Sequence, residues 1–195
     1  PKAEMSAETL NQSALLIGSA VNQDGRSSSL TAPNGPAQQV LIANVLSGSR
    51  INPHDVDHLE MHGTGTSLGD PIEVGAALNV LRRSVPVSGA SSRDGLVLEA
   101  AKTRAGHCEP GAGVIGIFSA IEHGELHLTH GLPNLRGLNP HVESVIKGLA
   151  ETYHYRTPCA LIAHQNVFLV SGDRTKPRTC GVSGFAFQGT NAHVL

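Results

Sequence analysis

Two histidines, His62 and His107, each follow an apolar run and stand at a glycine-bearing loop, in His62-Gly63-Thr64-Gly65-Thr66 and Gly106-His107. A neutral imidazole can donate an N–H to an oxygen that gains negative charge during a reaction, and two such donors aimed at one point suit acyl or enolate chemistry. Lys102 stands five residues before His107, while Asp70 and Glu73 follow the first loop. A buried lysine with carboxylate partners would hold the histidines' tautomers and tune their basicity; from spacing alone, an ordinary surface ion pair fits equally well. A lone loop histidine most often caps or fills a turn, so it is the second histidine and the lysine that make this set a candidate site.

Elements that end at these loops must position them. Asp55 to Met61 reads as a strand running into His62, and Leu96 to Ala100 as another, with Lys102 near its end and His107 beyond. In an open α/β sheet ligands bind just past the carboxyl ends of strands, which is where both loops fall. Upstream, Leu15 to Ala20 reads as a buried strand closed by an Asn22–Gly25 turn. Pro36 opens a helix with Val40, Leu41, Val45 and Leu46 at helical spacing.

The helix after the first histidine loop has Asp70 as N-cap, Pro71 at its first position and Glu73 three residues on, in the form of a capping box. Val74, Ala77, Leu78 and Leu81 supply its apolar face. Residues 82–95 read as a Ser/Gly/Pro loop and Val114 to Ile121 as a strongly apolar helix. Beyond it come a strand-like His127 to His130, an irregular stretch through Pro158 and a β-rich run from Leu161 to Ser171. A strand, Gly-rich turn and strand over Cys180 to Leu195 close the chain. Strands alternating with helices call for parallel strands joined by right-handed crossovers.

Composition limits the partners. Fourteen Lys plus Arg against sixteen Asp plus Glu give a net charge of -2, with no basic stripe for a phosphate backbone, and 3% aromatics leave few platforms for bases. Nucleic acid is not an expected partner. No apolar run approaches the ~20 residues of a membrane span, and no leader opens the chain, so a cytoplasmic protein is expected. Cys108, Cys159 and Cys180 are odd in number and lack CxxC spacing, and the eleven histidines are scattered without ligand spacing; free thiols and no metal site are expected. The chain opens on Pro1 and stops in an apolar, strand-like segment, as a piece of a longer protein would.

The runs NQDG (22–25), LTAPNGPAQ (30–38), HGTGTSLGDPIE (62–73), K-x-x-x-GH-x-E (102–109) and GVSGFAFQGTNAHV (181–194) resemble the C-terminal half of the β-ketoacyl synthase domain of modular polyketide synthases and type I fatty-acid synthases. The resemblance covers nearly the whole chain and implies a thiolase-like fold, with a layered α/β half around a mixed, mostly parallel five-stranded sheet. It also implies decarboxylative Claisen condensation of malonyl-type units on acyl carrier protein with a cysteine-bound acyl chain. By position, His62 and His107 match the family's active-site histidines and Lys102 its supporting lysine, with Asp70, Glu73 and Glu109 as supporting carboxylates. Thr64 and Thr66 match the threonines that bond the phosphopantetheine arm, and Phe187 the phenylalanine that gates the acyl pocket. No cofactor is implied beyond that arm, which belongs to the carrier. The implied partners are acyl carrier protein, acyl and malonyl thioesters, an N-terminal half bearing the nucleophilic cysteine, and a second copy of the domain.

Departures from the pattern are Arg104 for an Asn, Cys108 for a Thr, Pro110 for a small helix former, Ala186 for a Gly and Gln188 for a small residue. Ala186 restricts a backbone swing that Gly would allow. These differences leave open a degenerate or decarboxylase-only carrier-binding domain, or an inactive gene fragment, as alternative readings.

Overall fold

The structure, a computed structural model, describes residues 14–27, 32–83, 96–126, 128–129, 135, 137–153, 160–162, 167–168 and 178–195. Its main sheet is built from β1 (Ser19–Gln23), β2 (Val56–Glu60), β3 (Leu96–Glu99), β5 (Ala160–Leu161), β7 (Thr179–Phe185) and β8 (Thr190–Val194), in the order β1-β8-β7-β2-β3-β5. The β2–β7, β2–β3 and β3–β5 pairs are parallel and β8 is antiparallel to both β1 and β7, so one strand of six runs against the rest. The mixed, mostly parallel sheet is the expected one. It gains a sixth strand, the two-residue β5 at its edge. A separate pair joins β4 (Leu128–Thr129) to β6 (Val167–Phe168).

Helices α1 (Gly35–Ser49), α2 (Gly69–Leu81) and α5 (Pro140–Thr152) share the main apolar core with one face of this sheet. Ile42, Val45 and Leu46 of α1, Val74, Ala77, Leu78 and Leu81 of α2 and Val142 of α5 pack with Leu59, Leu96 and Leu98 of the strands. α4 (Ala112–Leu126) lies against β2 and β7. Its approach is close because Gly116 has no side chain: a Cβ there would lie 3.1 Å from Val182 Cγ1 and 3.3 Å from Glu60 Cγ. Among the described residues no helix is long and apolar enough to cross a membrane.

α1 forms as its sequence dictates. Asn34 Oδ1 accepts the Ala37 N–H at 3.2 Å, Pro36 occupies the first turn, and the helix ends on Arg50 in the left-handed region. Four expectations are corrected. The first strand begins at Ser19 and runs through Gln23; the backbone bonds to Leu195 reach back to Gly18 and Ile17, and Leu15 and Leu16 lie beyond them, exposed. Lys102, expected near the end of a strand, opens a four-residue α3 (Lys102–Ala105); a 3₁₀ turn at Glu109–Gly111 follows, and the helix expected over Val114 to Ile121 is the longer α4. The stretch read as irregular before Pro158 contains α5, capped by Asn139 Oδ1 on the His141 N–H at 2.9 Å, with Pro140 at its start.

The fourth correction concerns α2. It starts at Gly69, and its N-cap Leu68 makes no side-chain cap bond. Asp70 and Glu73 instead turn back to the preceding loop. Much of the predicted 82–95 loop and of the β-rich run 161–171 lies outside the described residues.

Candidate active site

His62 follows Met61 directly off the end of β2, and the loop that carries it is held by carboxylates of α2. Glu73 Oε1 accepts the His62 N–H at 2.6 Å and Oε2 the Gly63 N–H at 2.9 Å, while Asp70 Oδ1 accepts the Gly65 N–H at 3.1 Å. A side-chain carboxylate is a charge-assisted acceptor, so it can fix a turn that has no ladder partner. The turn requires glycine at Gly63, where φ is +47° and a Cβ would sit 2.7 Å from the Ala100 Cβ on the neighbouring strand end.

The second loop is anchored in the same manner. Glu60, the last residue of β2, accepts the Ala101 N–H at 2.6 Å, immediately before Lys102. The Gly106 N–H closes α3 on the Lys102 carbonyl at 2.9 Å, and Gly106, at φ +73°, turns the chain into His107. The strand register supports the pairing of the loops, since Glu60 lies opposite Glu99 and the Met61 N–H extends the ladder to the Glu99 carbonyl at 2.8 Å.

These two anchored loops bring the histidines together. The His62 and His107 rings meet edge-to-face, with centroids 5.6 Å apart and planes at 88°. His62 is half-buried and His107 exposed, so the pair opens to one side. Burial, then the Lys102 and His107 charges, pushes His62 down to about 4, which leaves it a neutral imidazole near neutral pH. Burial also lowers Lys102, against the opposing pull of Glu73 and Glu60. The buried Glu73 is pushed up to about 7, and desolvation likewise raises Glu60 and Asp70.

The remaining residues fall into two groups. Thr64 and Thr66 are exposed on the first loop, and Thr66 Oγ1 accepts the Gly69 N–H at 3.0 Å. Glu109 is exposed, with φ +42°, at the 3₁₀ turn beyond His107. Phe187 is 78% exposed in the turn between β7 and β8, and the ring beside His62 is Phe185, with centroids 5.9 Å apart. Glu60 and Phe185 were absent from the sequence-derived set, and only the fold places them at the site.

Two departures from the family pattern are accommodated. Pro110 sits in the first turn of the 3₁₀ segment, where no N–H is needed. Ala186 keeps a negative φ and closes the β7–β8 turn with both backbone groups, its N–H to the Thr190 carbonyl at 2.8 Å and its carbonyl to the Gly189 N–H at 2.9 Å. Arg104 donates to Ser119 Oγ of α4 at 2.9 Å.

Residues 13–132 match the sequence model of the family described as beta-ketoacyl synthase, C-terminal domain. The chain belongs to the β-ketoacyl synthase family. Erythronolide synthase EryA3 of Saccharopolyspora erythraea is 39% identical to it over 189 residues, covering 93% of this chain and 5% of that protein. Polyketide synthase GfsB of Streptomyces halstedii is 37% identical over 201 residues, covering 97% and 3% respectively. Among solved structures, the ketosynthase from module 6 of the bacillaene synthase of Bacillus subtilis 168 superposes with a TM-score of 0.75 at 27% identity, over 92% of this chain and 29% of that one. An oxazolomycin ketosynthase domain of Streptomyces albus JA3453 does so with a TM-score of 0.76 at 28% identity, over 93% and 29%. The fold is thus thiolase-like, and the chain spans under a tenth of those polyketide synthases and under a third of the solved ketosynthase chains.

Proposed function

We propose that this chain is the histidine-bearing part of a ketosynthase domain that extends an acyl chain by decarboxylative condensation in polyketide assembly. The observation that carries the reading is the edge-to-face pair His62–His107, set by two carboxylate-anchored loops at adjacent strand ends with Lys102 beside it. Family membership and the likeness to polyketide synthases and to solved ketosynthases support it.

In this reading a malonyl-type thioester, delivered on the phosphopantetheine arm of acyl carrier protein past the exposed Thr64 and Thr66, places its thioester oxygen at the two imidazoles. The C–C bond to the carboxylate breaks, carbon dioxide leaves, and the electron pair passes to the thioester oxygen as an enolate. N–H groups of the two rings stabilise that oxygen. The enolate carbon then attacks an acyl thioester on a cysteine supplied from outside these 195 residues, and the cysteine thiolate departs. His62 suits the donor role because its site keeps it unprotonated near neutral pH, so it carries one N–H and no competing positive charge. Lys102 contributes the nearby positive charge, which Glu73 and Glu60 favour against the burial that lowers it. Asp70 and Glu73 act on the loop backbone, and Glu109 is a supporting carboxylate at the exposed rim. Phe185 and Phe187 border the acyl path. We further propose that the complete domain pairs with a second copy.

The test uses the complete domain that contains this chain, with malonyl-loaded acyl carrier protein and an acyl donor. His62→Ala or His107→Ala should each lower product formation by about 10²-fold or more, the loss typical of removing one oxyanion donor. Unchanged elongation in both variants overturns the reading. Carbon dioxide release without elongation by the unaltered domain supports the decarboxylase-only alternative instead.

A further inference from the structure

A second cluster of buried titratable groups lies on the α4-facing side of the same strands, and the proposed condensation does not use it. His58 of β2 and Cys180 of β7 are register partners on adjacent parallel strands, so their side chains share a face. Glu99 of β3 lies two residues beyond Val97, the partner of His58, and therefore belongs to that face too. α4 lays His123 across it: the His58 and His123 rings stack with centroids 3.9 Å apart and planes at 12°. His58 and His123 are each 0% exposed and Glu99 is 3% exposed.

Within this cluster Glu99 faces both imidazoles, and one ring nitrogen of His58 is left over. Glu99 Oε2 lies 3.1 Å from His58 Nε2 and 3.8 Å from His123 Nδ1. With the Nε2–H of His58 donated to Glu99, the lone pair falls on Nδ1, which has no hydrogen-bond partner among the described residues. A carboxylate that orients an imidazole in this manner is the usual outer support of a metal-bound histidine. One nitrogen of each ring and Cys180 Sγ lie within 4.8 Å of one another. Donors at ~2.1 Å (nitrogen) and ~2.3 Å (sulfur) around a tetrahedral ion stand about 3.5 Å apart, so binding asks the donor atoms to close by little more than an ångström and the stacked rings to tilt until their lone pairs converge. Cys180 is only partly enclosed, which leaves a route for an ion.

We propose that His58, His123 and Cys180 form a buried site for one divalent ion of the zinc class, with Glu99 orienting His58. Two imidazoles and a thiolate are borderline-to-soft donors, which select zinc over magnesium or calcium. Binding replaces the Cys180 S–H by a metal–sulfur bond and releases its proton to solvent. An ion here would pin α4 to β2 and β7, one layer below the strand ends that carry His62 and His107.

The test is titration of the full chain, stripped by a chelator, with Co²⁺ and then Zn²⁺. One equivalent of Co²⁺ should bind with a thiolate-to-cobalt charge-transfer band that Zn²⁺ displaces, and Zn²⁺ should raise the Tm. Cys180→Ser should abolish the band, whereas Cys108→Ser, at an exposed cysteine outside the cluster, should keep it. A measurement free of any variant adds to this: Zn²⁺ should slow alkylation of Cys180 about tenfold or more and leave Cys108 unchanged. Absence of the band in the unaltered chain, its persistence in Cys180→Ser, or equal alkylation with and without Zn²⁺ overturns the proposal and leaves a metal-free His–Glu–His cluster.

Discussion

Glu73, buried on α2, accepts the backbone N–H of His62 at 2.6 Å, so a helix carboxylate rather than the strand ladder sets the position of the first histidine. Its other oxygen takes Gly63, and a carboxamide cannot reproduce both bonds because its nitrogen would face a donor. Glu73→Gln should therefore cost about 1–3 kcal/mol in urea unfolding. The cost should be larger at pH 5 than at pH 7. Burial holds the folded Glu73 up to about 7, so the native state keeps a proton that the unfolded chain loses near 4.5, and this stabilisation fades as pH rises through that window. Equal losses at both pH values would show that Glu73 does not titrate there.

At Gly63 the backbone is left-handed and the neighbouring Ala100 leaves no room, so Gly63→Ala should destabilise by about 2–4 kcal/mol, combining backbone strain with overpacking. Trimming the neighbour in the double variant Gly63→Ala/Ala100→Gly should restore part of that loss. A double-variant cycle by thermal unfolding measures the coupling, and additivity would mean that the two sites do not touch.

His62 should titrate near 4 instead of 6.5 when its ring protons are followed by nuclear magnetic resonance. Lys102→Met removes a positive charge that opposes protonation, so the midpoint should rise while burial keeps it below the ordinary value. A midpoint unmoved by the substitution would separate Lys102 from the histidine electrically.

The rings on either side of Ala186 should behave differently. Phe185 leans toward His62, and Phe185→Ala should expose that imidazole and raise its midpoint; Phe187→Ala, at a 78% exposed position, should change stability by no more than about 0.5 kcal/mol. The same titrations and melts report both.

His193 on β8 is 1% exposed, its Nδ1 lies 3.0 Å from Ser183 Oγ, and burial pushes it down to about 4. The unfolded chain then holds a proton that the folded one lacks between about 4 and 6.5, so native stability should rise with pH across that window by up to about 3 kcal/mol. His193→Gln should flatten that segment of the stability–pH curve, and an unaltered slope would place the titration on another group.

What the sequence reveals of this molecule depends on how local the cause is. α1 is legible because its cap, its proline and its apolar spacing are neighbours in the chain, and β2, β3 and the β7–β8 turn are legible for the same reason. α5 hides in a His-, Asn- and Pro-rich stretch, although Asn139-Pro140 and the spacing of Val142, Ile146, Leu149 and Ala150 carry its start and buried stripe. The capping-box reading of Asp70 and Glu73 found the right residues and assigned them the wrong bonds, because a carboxylate near a helix start serves whichever backbone N–H lacks a partner, and here those belong to the loop. Glu60, Phe185 and the His58–Glu99–His123–Cys180 cluster come from four separate segments. Linear spacing holds no trace of them; strand register, with α4 packed across it, brings them into reach.

The lone antiparallel strand of the sheet imposes an order of events on synthesis. Among the described residues β1 pairs with β8 alone, and the side-chain contact between Asn22 and Asn191 spans 169 residues. At ribosomal rates of ~5–20 residues per second, Ser19–Gln23 waits for roughly ten to thirty seconds before β8 exists to receive it. β7 likewise arrives late to flank β2, so the nascent chain can form the α1–β2–α2–β3 unit first, while β1, with Val21 on its exposed side, still lacks β8. That interval is when this segment is open to chaperones and to pairing with a neighbouring nascent chain, and it ends when the β7–β8 hairpin emerges.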